Sequence, residues 1–176
     1  MKPAPVLLAA ALAGLLPAAA AAGEVWLGAY DHDVKTPLTF SGFEPGYDIQ
    51  LGWRGEPLQA WRWAARPAPY VFVSGNTEGA TNFAAAGLSW RFGDRIFFRP
   101  GLGVAIHDGP RSFDPASERI WFGSRVLFAP EAALGWQASE RLSVEASWVH
   151  ISHAQLLSRQ NPGMDEFGLR LTYKLP

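Results

Sequence analysis

Leu142-Ser-Val-Glu-Ala-Ser-Trp-Val-His-Ile-Ser152 alternates apolar and polar residues with a period of two. That is the period of a β-strand, whose successive side chains point to opposite faces. One face carries Leu142, Val144, Ala146, Trp148, His150 and Ser152; the other carries Ser143, Glu145 and Ser147. After a polar loop over 153–163 the alternation resumes at 164–175. There Asp165, Phe167, Leu169, Leu171, Tyr173 and Leu175 share a face. The two segments read as an antiparallel hairpin, so His150, Ser152 and Asp165 converge on its apolar side.

Working outward, six further segments alternate in the same way, at about 24–31, 46–54, 68–75, 80–92, 95–106 and 119–136. Val25, Leu27 and Ala29 share a face in the first; Tyr47, Ile49, Leu51 and Trp53 do so in the second. In the sixth, Ile120, Phe122, Val126 and Phe128 are set opposite Arg119, Trp121 and Arg125. None of the eight segments shows a helical period, and several reach the ~9–11 residues of a tilted membrane strand. The pattern predicts an all-β fold, an eight-stranded antiparallel transmembrane β-barrel. Connections 32–45, 107–118 and 153–163 are long, whereas Phe92–Asp94 and Gln137–Glu140 are tight. Long extracellular loops and short periplasmic turns are the habit of small outer-membrane barrels. The 55–67 connection is long for a periplasmic turn and has room for one helical turn between Pro57 and Pro67.

The first 22 residues read differently. Lys2 is a positive start, Val6 to Leu16 a short apolar core, and the Ala18–Ala22 run a cleavage-compatible end. Residues 1–22 are expected to be a cleaved secretion signal and 23–176 the barrel. Without Lys2, 14 basic and 16 acidic residues remain, a slightly negative balance that argues against a nucleic-acid partner. The chain has no cysteine, so neither disulfides nor a thiolate metal site is expected. Eight Trp, eleven Phe and four Tyr, with no long apolar run after the signal, suit short strands with aromatic girdles.

Periodicity does not say which face is inside, since a lipocalin-type soluble barrel shows the same pattern turned inside out. Two features favour the outer membrane. The polar face mixes Asp48, Gln50, Arg91, Arg99, Arg119, Arg125, Glu145, Glu166, Arg170 and Lys174, charges of both signs that can pair in a narrow lumen. Trp53, Trp90 and Trp148 fall toward segment ends, where interfacial girdles form.

Polar groups on a lipid face are costly, which sets His150 and Ser152 apart from two solvated residues at a strand end. A base, a hydroxyl and a carboxylate in reach of one another are the parts of a nucleophilic site. His32 and His107 read as solvated loop or strand-end residues. Asp31 and Asp33 flank His32 in a metal-like cluster that loop composition explains better than a metal does.

The run His150-Ile-Ser152 with Ala154, then Asn161-Pro-Gly163 and an acid opening the last segment, resembles the outer-membrane lipid A 3-O-deacylases. Gly101-Leu-Gly103 and the stretch from Phe122-Gly-Ser124 to Phe128 are weaker features of the same kind. The resemblance implies an eight-stranded barrel with a serine esterase site on its lipid-facing outside. Ser152 would be the nucleophile, His150 the general base, and Asp165, or alternatively Glu166, the acid. Strand parity prefers Asp165; a lumen-facing Glu166 would instead neutralise Arg or Lys. The family's Asn after the serine is here His153, a candidate oxyanion donor, with backbone N–H groups near Ala154 as the alternative. The implied substrate is lipid A in lipopolysaccharide, cleaved at its 3-position ester without metal or organic cofactor. The oligomeric state stays open, a homodimer included. The rivals are a non-enzymatic structural or adhesive barrel and a soluble periplasmic lipid-binding barrel.

Overall fold

The computed structural model describes residues 23–39, 44–112 and 119–176; the signal expected at 1–22 lies outside them. Its strands are β1 (Glu24–Asp31), β2 (Tyr47–Arg54), β3 (Ala68–Asn76), β4 (Phe83–Ser89) and β5 (Ile96–His107). They continue with β6 (Val126–Phe128), β7 (Glu131–Gln137), β8 (Leu142–Ile151) and β9 (Met164–Lys174). All pairings are antiparallel, and β1 against β9 together with β4 against β5 closes the ring. β6 and β7 both pair with β5. They are one stave interrupted at Ala129-Pro130, because a proline has no N–H to give the ladder. The barrel therefore has eight staves. The eight segments of the sequence match them, with the sixth shortened at its start.

The faces follow the alternation. Leu27, Leu51, Leu102, Leu134 and Leu169 point outward and are each 58–63% exposed, while their strand neighbours Trp26, Gln50 and Arg170 are buried in the lumen. Strongly exposed leucines on five staves form a belt suited to hydrocarbon, not water. Among the described residues no helix is long and apolar enough to cross a membrane; the crossing is made by strands. Leu175 N–H donates to Gly23 O at 2.8 Å, which puts the described chain ends together at one rim, the periplasmic one in an outer-membrane barrel. The 55–67 connection lies at that rim and holds a 3-10 turn over Gln59–Ala64. The described loop residues 32–39, 44–46, 77–82, 108–112, 119–125 and 152–163 gather at the outer rim.

Side chains fill the middle and outer parts of the lumen, and its periplasmic end opens into a cavity of about 500 Å³ lined by Arg54, Ser89, Arg99, Ser143 and Thr172. Toward the periplasm Arg170 donates to Glu145 at 2.9 Å and to Glu131 at 3.0 Å, and Arg99 lies 3.3 Å from Glu145. The expected pairing of mixed charges is thus realised by Arg99, Glu145 and Arg170. Arg91, Arg125 and Lys174, placed on the same polar face by the sequence, are exposed. Above the ionic layer Trp26, Tyr30, Tyr70, Phe72, Phe83 and Leu127 form an apolar plug.

Ile120 and Phe122 were expected on the lipid face of the sixth strand, yet both are fully buried in that plug. Residues 119–125 are a loop that dips into the outer mouth. Ile120 N–H donates to Glu44 Oε1 at 2.8 Å, and Phe122 N–H donates to Pro110 O at 3.1 Å. A packed lumen needs apolar side chains too, so the period of two could not distinguish this loop from a strand.

Two stability predictions arise. Leu169→Arg puts a charge in the lipid belt and should cost about 2–4 kcal/mol, whereas Leu169→Ile should cost far less; urea-dependent unfolding from bilayers compares them. Gly168 is unsuitable as the lumen-facing control, because a Cβ there would meet Ala29 O at 2.2 Å and the Tyr30 ring at 2.6 Å. Arg170→Met leaves Glu131 and Glu145 without their main donor and should cost about 3–5 kcal/mol, read in the same assay.

Candidate active site

His150 and Asp165 face each other directly across the β8–β9 ladder, where cross-strand Cβ atoms lie about 4.5–5.5 Å apart. His150 Nδ1 is 2.9 Å from Asp165 Oδ1, and His150 Nε2 is 2.8 Å from Ser152 Oγ. A carboxylate can only accept, so Nδ1 carries the proton and Nε2 is left to accept the Ser152 hydroxyl proton. The structure thus brings together all three residues that the hairpin reading placed on one face.

Ser152 lies one residue past β8, and its backbone is still held. Its N–H donates to Phe128 O at 3.1 Å, and its carbonyl accepts from Phe128 N–H at 2.6 Å. His150 N–H donates to Pro130 O at 3.0 Å. The β6–β7 break thus lies beside the His150–Ser152 turn of the chain. Gly163 sits under the imidazole with a φ of +67°, and a Cβ there would come within 3.2 Å of His150 Cε1. Both the left-handed backbone and the close approach call for glycine.

Asp165 is on the outward face yet has no exposed surface. Trp148 Nε1 donates to its Oδ1 at 2.7 Å, Thr36 Oγ1 donates to its Oδ2, and Val34 N–H donates to its backbone carbonyl at 2.8 Å. The loop after β1 folds over the outer wall and seals the carboxylate from lipid. Sequence reading missed Thr36, which is distant in the chain and has no motif. It took Trp148 for a girdle residue; the shared face with His150, whose ring lies 6.1 Å away at 27°, was the available signal.

Glu166 points into the lumen, as parity required, and does not reach the pair. It was expected to neutralise Arg or Lys; instead it accepts from Gln50 Nε2 at 2.8 Å and lies 3.8 Å from His32 Nδ1. His153 does not join Ser152 either. Its ring is fully buried, with Nε2 donating to Phe122 O and Gln160 O, both at 2.8 Å. Its backbone N–H is taken by Asn161 Oδ1 at 2.8 Å. The chain leaves strand geometry after Ser152, so the imidazole turns inward to fasten the 119–125 loop.

His32 and His107, expected in solvent, are both buried. His107 Nε2 donates to Ser124 O at 2.7 Å and its ring packs on Phe122. His32 meets Glu44, Asp48 and Glu166, not the flanking Asp31 and Asp33 of the sequence reading. Burial alone would lower the His32 pKa; the carboxylates of Asp48, Glu166 and Glu44 outweigh it and raise it to about 11. Burial likewise would raise the Glu44 carboxyl, but His32 and the N–H groups of Thr81 and Ile120 hold it below the ordinary carboxylate range.

Residues 41–174 match the family model for lipid A 3-O-deacylase, PagL. The chain belongs to the lipid A 3-O-deacylase family. The outer membrane enzyme PagL has a solved structure that is 19% identical, with a TM-score of 0.62 over 85% of this chain and 98% of that one. Neisserial surface protein A matches at 10% identity and a TM-score of 0.54, over 86% and 96% of the two chains. The N-terminal β-barrel domain of Pseudomonas aeruginosa OprF matches at 11% and 0.52, over 86% and 98%. At these identities the likeness shows the barrel fold alone. No curated protein sequence matches the chain. Family membership makes the protein an outer-membrane hydrolase acting on lipid A, and removes the soluble barrel and the non-enzymatic barrel as readings.

Proposed function

We propose that this lipid A 3-O-deacylase works as a serine esterase whose triad is Ser152, His150 and Asp165. The observation that carries the reading is the unbroken chain from Asp165 Oδ1 through both His150 nitrogens to Ser152 Oγ, at 2.9 and 2.8 Å. His150 takes the Ser152 proton as Oγ attacks the carbonyl of the 3-position ester. It then returns the proton to the departing sugar hydroxyl, leaving an acyl-serine. Water, activated by the same imidazole, releases the 3-hydroxy fatty acid. Asp165 fixes the tautomer and stabilises the transient imidazolium.

The site stands on the outer wall at the outer rim, where the ester of lipid A meets the protein at the head-group boundary. With His153 occupied elsewhere, we assign the oxyanion to the backbone N–H of Ala154. Ala154 and Gln155 have φ of 50° and 59° in a turn closed by Leu156 N–H on His153 O at 2.9 Å. Left-handed backbone at two non-glycine residues costs energy and accords with a turn held for a purpose. Residues 1–22 would be the secretion signal that delivers the barrel.

A lipid-like fluorophosphonate tests the nucleophile, since it reacts with an activated serine and not with a resting one. Peptide mass spectrometry should find the adduct on Ser152, and His150→Asn should suppress it. An adduct on another serine, or labelling unaffected by His150→Asn, would refute the triad.

A further inference from the structure

Behind the wall that carries the triad, the outer mouth of the lumen holds a second cluster. His32 follows β1, Asp48 is in β2 and Glu166 is in β9, three adjacent staves. One ligand-capable atom from each lies within 4.8 Å of the others, and all three residues are buried. His32 Nδ1 approaches Asp48 Oδ1 at 2.9 Å and Glu166 Oε1 at 3.8 Å, yet it has no hydrogen-bond partner. A buried nitrogen within ion-pair reach of two carboxylates but aligned for a hydrogen bond with neither is an arrangement that an ion seated among the three ligands would complete. The other nitrogen, Nε2, is hydrogen-bonded to Glu44 Oε2 at 3.0 Å. Glu44 is in turn held by Thr81 and Ile120. A carboxylate behind a histidine in this way sets the tautomer that offers the opposite nitrogen to a metal. Gln50 Oε1 is also buried without a partner, while Gln50 Nε2 donates to Glu166.

We infer that His32 Nδ1, Asp48 and Glu166 form a divalent transition-metal site, with Zn2+ as its best-suited ion. One imidazole and two carboxylates are a borderline donor set that favours Zn2+ over Ca2+ or Mg2+. Tetrahedral Zn2+ places its ligand atoms roughly 3.3 Å apart, between the 2.9 and 3.8 Å that separate His32 Nδ1 from the two carboxylates. Water or Gln50 Oε1 supplies the fourth position. Binding displaces the Nδ1 proton to solvent, and the carboxylates that favour that proton favour a doubly charged ion more. The rival is an imidazolium caged by three carboxylates. It accounts for the ion pairs of Nδ1 but leaves the buried Gln50 oxygen without a partner.

The ion would tie β1, β2 and β9 together one residue away from Asp165. It is a structural brace, separate from the reacting atoms.

The test uses the folded barrel in detergent, stripped with EDTA, desalted, and given equimolar ZnCl2 with millimolar Ca2+ and Mg2+ present. Elemental analysis after a second desalting should return close to one Zn2+ per chain, and the thermal midpoint should rise by several degrees. Asp48→Asn with Glu166→Gln, checked for folding by heat-modifiable gel mobility, should lower retained zinc at least tenfold. His150→Ala should retain it. Zinc absorption spectroscopy on the wild type should show one imidazole among oxygen ligands, which keeps the proposal testable if the double variant does not fold. No retained zinc, zinc displaced by Ca2+ or Mg2+, retention in the double variant, or loss in His150→Ala would each overturn it.

Discussion

Ser152→Ala should lower the rate of lipid A deacylation by at least about 10³-fold and leave an assembled barrel. Among the described residues the Ser152 hydroxyl bonds to His150 Nε2, so its removal costs about 1 kcal/mol of stability at most. What holds the segment is backbone pairing with Phe128, which alanine keeps. The loss should appear in kcat with little change in KM, because Oγ contributes to the transition state and not to holding the acyl chains. Heat-modifiable gel mobility identical to wild type, together with a deacylation assay on purified lipid A, checks both halves. Residual activity within tenfold of wild type would remove Ser152 from the mechanism.

Asp165→Asn should lower activity by about 10²–10⁴-fold, because an amide no longer enforces the Nδ1–H tautomer. Glu166→Gln, one residue along, should cost less than about tenfold: its side chain meets Gln50, Ser74 and His32 inside the lumen, across the wall from the imidazole. Adjacent strand residues go to opposite faces, so this pair of variants reads the register of β9 directly. A dead Glu166→Gln beside an active Asp165→Asn would mean that β9 is shifted by one residue at its start. A tenfold or smaller effect of Thr36→Val would show that the tautomer is set by the carboxylate and not by the loop that covers it.

Much of this was legible in the chain because a strand's period is simple. The two faces of β8 and β9 follow from Leu142, Val144 and Leu169 against Glu145 and Arg170, and the convergence of His150, Ser152 and Asp165 follows from parity alone. What the period could not carry was depth and distance. Ile120 and Phe122 alternate like a lipid-facing strand, but a filled lumen accepts the same residues. His32 sits among charged neighbours, which looks like solvent exposure until the barrel closes and brings Asp48 and Glu166 to it. Thr36 and Trp148 cover Asp165 through contacts 129 and 17 residues apart in sequence, and no local pattern encodes such a pairing. His153 departs from parity because the strand ends at Ile151, and strand ends are where alternation stops being informative.

This barrel should remove the 3-position acyl chain of lipid A through Ser152. Mass spectrometry of lipid A, from cells expressing the wild type, Ser152→Ala or neither, tests it most directly. The wild type alone should shift the lipid A ions down by the mass of one 3-hydroxyacyl group, with the shift assigned to the 3-position by fragmentation. Unchanged lipid A in cells with a correctly assembled wild-type barrel, or the same shift produced by Ser152→Ala, would contradict it.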